Sequence, residues 1–150
     1  MALEDVATRV VAGLEESQRA RITTKASAAG MVRGDEELLV WLLENAVENA
    51  LKFSTENVEI FVTEDSSLGE VLVDVQDHGD GLPKALRERV FEPFFRSPEA
   101  RGANTQGHGI GLALVSRIAA FHGGRVGFED PADGSGACLR LTLPMWKERV

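Results

Sequence analysis

Two short segments in which apolar and polar residues alternate limit the fold more than anything else in the chain. They are 57–63 (Asn-Val-Glu-Ile-Phe-Val-Thr) and 70–76 (Glu-Val-Leu-Val-Asp-Val-Gln). Period-two alternation is the mark of a strand with one buried face. The two are separated only by Glu-Asp-Ser-Ser-Leu-Gly, so they predict an antiparallel hairpin. The apolar face of such a hairpin needs a second layer, and the flanking sequence supplies helices. Leu3, Val6, Val10 and Leu14 recur at helical spacing over 2–16. A long helix is predicted from Asp35, an N-cap with Glu36 and Glu37 favourable in the first turn, to about Phe53. Its apolar stripe is Leu39, Leu42, Leu43, Ala46, Ala50 and Phe53. Pro83 opens a short helix to about Val90. Another helix runs from Ile110 to Phe121 and ends at His122-Gly123-Gly124. Residues 20–28 read as an edge strand, and 125–129 and 137–143 as two closing strands around a Pro131–Gly136 turn. The expectation is an α/β (α+β) two-layer sandwich, a mixed, mostly antiparallel sheet with helices on one face.

Composition narrows the function classes. With 150 residues the chain fits one domain whose core needs no disulfide or structural metal. The lone Cys138 has no internal partner and suggests a reducing compartment. A net charge of -8, from 16 Lys+Arg and 24 Asp+Glu, argues against nucleic acid as a partner. The apolar run Leu38–Leu43 is bounded by Glu37 and Glu44, far short of the roughly 20 residues of a membrane span. Glu4 and Asp5 precede any apolar stretch, so no signal peptide is expected.

Four segments carry the chemistry. On the long helix, Asn45, Asn49 and Lys52 stand at i, i+4 and i+7, within roughly 60° of one another and beside the apolar stripe. Carboxamide oxygens suit a hard cation such as Mg²⁺, which keeps several waters and shares its remaining positions with phosphates. Asp77-His78-Gly79-Asp80-Gly81 follows a strand directly. An ionised Asp77 is acceptor-only and can take a hydrogen bond from adenine's exocyclic amine, where guanine presents an acceptor. The glycines let the backbone approach a flat ligand. Phe91-Glu-Pro-Phe94-Phe95-Arg96 holds three of the chain's nine aromatics, read as packing that anchors the next loop, with Arg96 able to reach a phosphate. Residues 96–108 show no periodicity, as in a functional or mobile loop. Gly107-His108-Gly109-Ile110-Gly111-Leu112 opens a helix, where free backbone amides favour phosphate. Its spacing is neither that of a dinucleotide-binding turn nor that of a P-loop.

In their order and spacing these four segments resemble the N, G1, F and G2 boxes of the GHKL superfamily. More narrowly, they resemble the catalytic ATP-binding domain of sensor histidine kinases, over roughly residues 3–144. The resemblance implies the Bergerat sandwich, with a flexible lid at about 82–108 closing over ATP. It implies that Asn49 is the Mg²⁺ ligand, that Lys52 contacts phosphate, and that Asn45 is a second polar group near them. It assigns the adenine amine to Asp77, the shape of its pocket to Gly79 and Gly81, and the phosphate cradle to 107–112. Asn45, Lys52 and Arg96 are the candidate catalytic groups. Glu-Asn-Ala occurs twice, at 44–46 and 48–50; a lysine three residues on follows only Asn49, which sets the register. One departure concerns Ala137. The family commonly has Thr or Ser there, whose hydroxyl supports the adenine-binding Asp, so here a water substitutes or that bond is missing.

Relatives that hydrolyse ATP, or phosphorylate serine, generally carry Glu where Asn45 stands. A carboxamide cannot take a proton at neutral pH, whereas a histidine acceptor has its own basic nitrogen, so Asn45 favours transfer to histidine. Glu44 and Glu48 are rotated off that direction, and catalysis would rest on positioning and charge neutralisation. His78, His108 and His122 all lie in nucleotide-binding or turn motifs, and none matches the family's phosphoacceptor. The expectation is therefore one ATP-binding domain cut from a larger kinase, unable to phosphorylate itself alone. Its partners would be ATP, the kinase's own dimerisation domain and a response regulator. Its place would be the cytoplasmic side of a membrane-anchored sensor. The alternatives are a serine kinase or ATPase of the same superfamily, or a degenerate nucleotide-binding module.

Overall fold

The computed structural model describes residues 1–95, 111–131 and 134–148. Five strands form one sheet: β1 (Ile22–Ala26), β2 (Val58–Asp65), β3 (Glu70–Gln76), β4 (Arg125–Glu129) and β5 (Cys138–Pro144). Their order is β1-β2-β3-β5-β4. β1 runs parallel to β2, and the other three pairings are antiparallel. The hairpin forms with Val62 opposite Val73 and Ile60 opposite Val75, so the valines and isoleucine share one face. Val58, Ile60, Val62, Val71, Val73, Val75, Leu139, Leu141 and Leu143 are buried there.

That face is covered by α1 (Leu3–Ala12), α3 (Glu36–Phe53) and α4 (Gly111–Phe121), while α2 (Glu16–Arg19) is a single turn. Leu3, Val6 and Val10 of α1, with Leu39, Leu42, Leu43, Ala46, Val47 and Ala50 of α3, complete the core. The first helix stops at Ala12 rather than continuing to 16, because Gly13 caps it. Phe53, expected in the α3 stripe, is 41% exposed at the last residue of the helix. The helix predicted from Pro83 is instead two 3-10 turns, Lys84–Leu86 and Arg89–Phe91. The opposite sheet face is polar and carries the paired ions Asp74 and Arg140, 2.8 Å apart on neighbouring strands. The described residues contain no helix long and apolar enough to cross a membrane.

α3 is fixed at both ends. Asp35 accepts the Leu38 N–H at 3.1 Å, the expected N-cap. The Asp35 N–H in turn donates to Nε2 of His122 at 3.0 Å. Nδ1 of His122 lies 2.7 Å from the Ile118 carbonyl, which can only accept. His122 is therefore a neutral, Nδ1-protonated ring joining the end of α4 to the start of α3. Gly34 is needed beside it, since a Cβ there would run into the ring. At the other end, Arg21 donates to the carbonyls of Leu51, Ser54 and Glu56, closing a helix terminus that would otherwise leave acceptors unpaired.

Candidate functional site

The site gathers around the second half of α3. Asn45 is half-buried, and its Nδ2 donates to the Trp41 carbonyl one turn back at 2.8 Å. This turns Oδ1 towards the first residue of α4: a Cβ on Gly111 would stand 3.1 Å from it. Gly111 therefore permits the start of α4 to approach the middle of α3. Asn49 is half-buried one turn further on, and its side chain makes no hydrogen bond among the described residues. A partly buried carboxamide with neither end bonded among the described residues suits an outside ligand. Lys52 is exposed on the same side, as the i, i+4, i+7 spacing requires.

β3 delivers Asp77 to this region. The residue is 6% exposed. Its N–H donates to the Ala137 carbonyl at 2.9 Å, and its Oδ1 accepts from Ala137 N–H and Gly79 N–H, each at 3.0 Å. Oδ2 has no partner among the described residues, yet it is not sealed from solvent. One oxygen is thus held rigidly while the other stays open to a donor. Ala137 contributes its backbone amide to Oδ1 but no side-chain hydroxyl, so the hydroxyl bond expected of a Thr or Ser there is absent.

Glycine makes this geometry possible at two places. A Cβ on Gly79 would strike the Phe53 carbonyl, so the loop after Asp77 lies flat against the last turn of α3, one turn beyond Asn49. Gly136 has φ +73, and a Cβ there would strike the Asp77 backbone carbonyl. Gln76, itself buried, donates to the carbonyls of Asp77 at 2.7 Å and Ser135 at 3.1 Å. The Asp77 loop and the 134–137 turn are therefore one bonded unit. Gln76, Ser135 and Gly136 were not singled out from sequence; the only available signal was the glycine-rich turn itself. Gly81, with φ +81, packs against the Gly136 carbonyl on the same unit.

The segment after the loop is docked through Phe91, which packs on Phe128 with ring centroids 5.8 Å apart. Arg87 also reaches Asp130 at 2.8 Å and holds that carboxyl below the usual carboxylate range. Of the other two clustered aromatics, Phe95 lies under the Arg89 guanidinium, while Phe94 is 71% exposed at φ 65. Packing as the role of the trio thus holds for Phe91 and fails for Phe94. Gly111 and Leu112 open α4, both half-buried. Arg96, Gly107, His108, Gly109 and Ile110, with the expected lid from 96 onward, lie outside the described residues. Among the described residues no group of three His, Cys, Asp or Glu side chains is arranged for a metal.

Residues 34–147 match the family model described as histidine kinase-, DNA gyrase B- and HSP90-like ATPase. The chain belongs to this ATPase family. It is 35% identical over 133 residues to the sensor-like histidine kinase SenX3 of Mycolicibacterium smegmatis, covering 89% of this chain and 34% of that one. It is 34% identical over 117 residues to the sensor histidine kinase WalK of Bacillus subtilis, covering 77% of this chain and 19% of WalK. The chain thus spans about a third of SenX3 and about a fifth of WalK. Among solved structures, the mycobacterial sensor histidine kinase MprB superposes with TM-score 0.80 at 29% identity, over 99% of both chains. Full-length ShkA in complex with AMPPNP superposes with TM-score 0.81 at 28% identity, over 100% of this chain and 31% of ShkA. The α/β sandwich is therefore the Bergerat fold of histidine-kinase ATP-binding domains, as the four sequence boxes implied.

Proposed function

We propose that this chain is the Mg²⁺-ATP-binding catalytic part of a longer two-component sensor kinase. It would donate the γ-phosphoryl group to a histidine on the kinase's separate dimerisation domain, from which a response regulator takes it. The observation that carries the reading is Asp77, buried, with one oxygen fixed by two amides and the other open beside α3. The open Oδ2 accepts the adenine amine, and Gly79 and Gly81 leave room for the flat ring. A charge-assisted bond of this kind contributes about 1.5–3 kcal/mol. Asn49, unengaged and half-buried, is the protein's ligand to Mg²⁺, with Lys52 set against phosphate. The ion, when bound, neutralises charge developing on the phosphoryl oxygens. Asn45, with its amide committed to Trp41, offers an oxygen but no base, which suits a histidine acceptor that needs none. The gripped triphosphate is presented rather than attacked by any group of this domain. Arg96 and residues 107–110 complete the phosphate side in this reading. Membrane anchoring would reside elsewhere in the parent kinase, with this domain on the cytoplasmic side.

Calorimetric titration of Mg²⁺-ATP tests the site. Asp77→Ala is expected to abolish detectable binding while the thermal melt stays cooperative, and near-normal affinity refutes the pocket. Asn49→Ala is expected to erase the gain in affinity that Mg²⁺ provides; an undiminished metal effect removes Asn49 as ligand. Sustained ATP turnover by the domain with no histidine partner present would move the assignment to a serine kinase or ATPase.

A further inference from the structure

We propose that Asp80–Gly81 is a site of spontaneous modification: Asp80 closes on the Gly81 amide and reopens as isoaspartate, and the altered loop loses the nucleotide. The loss of nucleotide rests on the adenine role given to Asp77 above; the isomerisation itself does not. The sequence has two Asp-Gly pairs, Asp80–Gly81 and Asp133–Gly134, and no Asn-Gly. In both, a residue without Cβ follows the carboxyl, which leaves the backbone nitrogen open to approach. From the sequence the two pairs are equivalent. The structure separates them. Gly134 donates its N–H to the Pro131 carbonyl at 3.1 Å. The Gly81 N–H has no partner among the described residues, and neither has the Asp80 carboxyl. Asp80 and Gly81 are both exposed, so water reaches them.

The reaction needs no co-reactant but water. The Gly81 nitrogen gives up its proton and bonds to Cγ of Asp80. The protonated carboxyl sheds hydroxide, so one water leaves in all and a five-membered succinimide forms. Water then adds to one of the two ring carbonyls. Breaking the bond from nitrogen to Cγ restores aspartate. Breaking the bond from nitrogen to the backbone carbonyl carbon leaves the chain running through Cγ, with the former backbone carbonyl as a free carboxylate. Nothing is oxidised or reduced, and the mass returns to its starting value. A nitrogen whose N–H is bonded must first give that bond up, which protects Gly134 and not Gly81.

The product does not fit the loop. Isoaspartate puts one more carbon into the main chain, about 1.5 Å of extra path. The loop has no slack to absorb it. Asp77 is held by three bonds to the backbone, and Nε2 of His78 lies 2.8 Å from Oε1 of Glu59 on β2. Gly79 lies against the Phe53 carbonyl and Gly81 against the Gly136 carbonyl. The extra carbon falls between these last two contacts. It pushes Gly81 off its seat, or it moves Gly79, whose N–H holds Asp77 Oδ1.

The test ages the 150-residue chain at neutral pH and physiological temperature. Isoaspartate is counted by labelling with protein-isoaspartate methyltransferase and placed by fragmenting the tryptic peptides 53–84 and 126–140. Chains still able to bind are counted by calorimetric titration of Mg²⁺-ADP. Isoaspartate is expected to form about two- to tenfold faster at 80 than at 133, the factor that one ordinary hydrogen bond is worth. In urea, with the chain unfolded, the two rates should converge. The number of binding-competent chains should fall in step with the label at 80. Asp80→Glu, which would have to close a six-membered ring, should carry no label at 80 and keep its binding through the same ageing. Equal or faster labelling at 133 in the folded chain overturns the site. Label at 80 with undiminished binding overturns its effect on the loop. Fresh chain that binds no Mg²⁺-ADP sinks the adenine reading, while the labelling ratio still decides the isomerisation.

Discussion

Gly136→Ala separates a steric requirement from a conformational one, because Gly134 provides the control two residues away. Both glycines have left-handed backbone, φ +76 at Gly134 and +73 at Gly136. A Cβ at Gly134 meets nothing within 4 Å, whereas at Gly136 it would strike the Asp77 carbonyl and stand 2.8 Å from Asp77 Oδ1. The left-handed conformation costs an alanine about 1–2 kcal/mol, offset by about 0.4–1 kcal/mol from the stiffer unfolded chain. Gly134→Ala should therefore lose about 1 kcal/mol. Gly136→Ala adds an overpacking cost of about 1–3 kcal/mol, since the struck atoms are backbone and cannot swing away. For a chain of this size, each kcal/mol lowers Tm by about 2–4 °C. The expected losses are then about 3 °C for Gly134→Ala and roughly 5–15 °C for Gly136→Ala. The second assay is nucleotide titration. Relief of the clash displaces Asp77, so affinity falls at least about tenfold in Gly136→Ala and little in Gly134→Ala. Equal melting temperatures and equal affinities for the two variants would show that the turn does not press on Asp77.

Two further outcomes follow from individual contacts. Arg21→Ala uncovers the carbonyls at the end of α3, part of that end being buried, and should lower unfolding free energy by about 1–3 kcal/mol in urea titration; a loss under about 0.5 kcal/mol would mean that water caps the helix as well. Burial pushes the Cys138 thiol up to about 12, so a disulfide reagent at pH 8 should modify it only as fast as the chain unfolds. In the same way, the unfolded thiol ionises near pH 9 while the folded one stays protonated, so its contribution to stability is complete below pH 9 and declines towards pH 12. Rapid labelling of the native chain at pH 8 contradicts the buried placement.

Local pattern was enough for the sheet, the long helix and its cap, because alternation and 3.6-residue periodicity are written in neighbouring residues. It was also enough for the family, since four polar motifs in a set order carry the resemblance. It failed where the outcome depended on what lay opposite. Phe53 satisfied the helical stripe but is exposed at the end of α3. Phe94 belonged to an aromatic cluster yet faces solvent. Residues 84–91 became 3-10 turns docked through Phe91 and Arg87 onto β4 and the residue following it, contacts no window of sequence contains.

The support of Asp77 is the sharpest case. From the residue types alone, Ala137 left that carboxylate short of a bond. In the fold, antiparallel pairing continues one step past β3 and β5 and aims the Ala137 amide at Oδ1. Side-chain chemistry is legible from the sequence because each residue type carries its own donors and acceptors. Backbone amides are common to every residue, and only chain geometry decides where they point. Glu59 and His78, 19 positions apart, met for the same reason: the hairpin returns the end of β3 beside the start of β2.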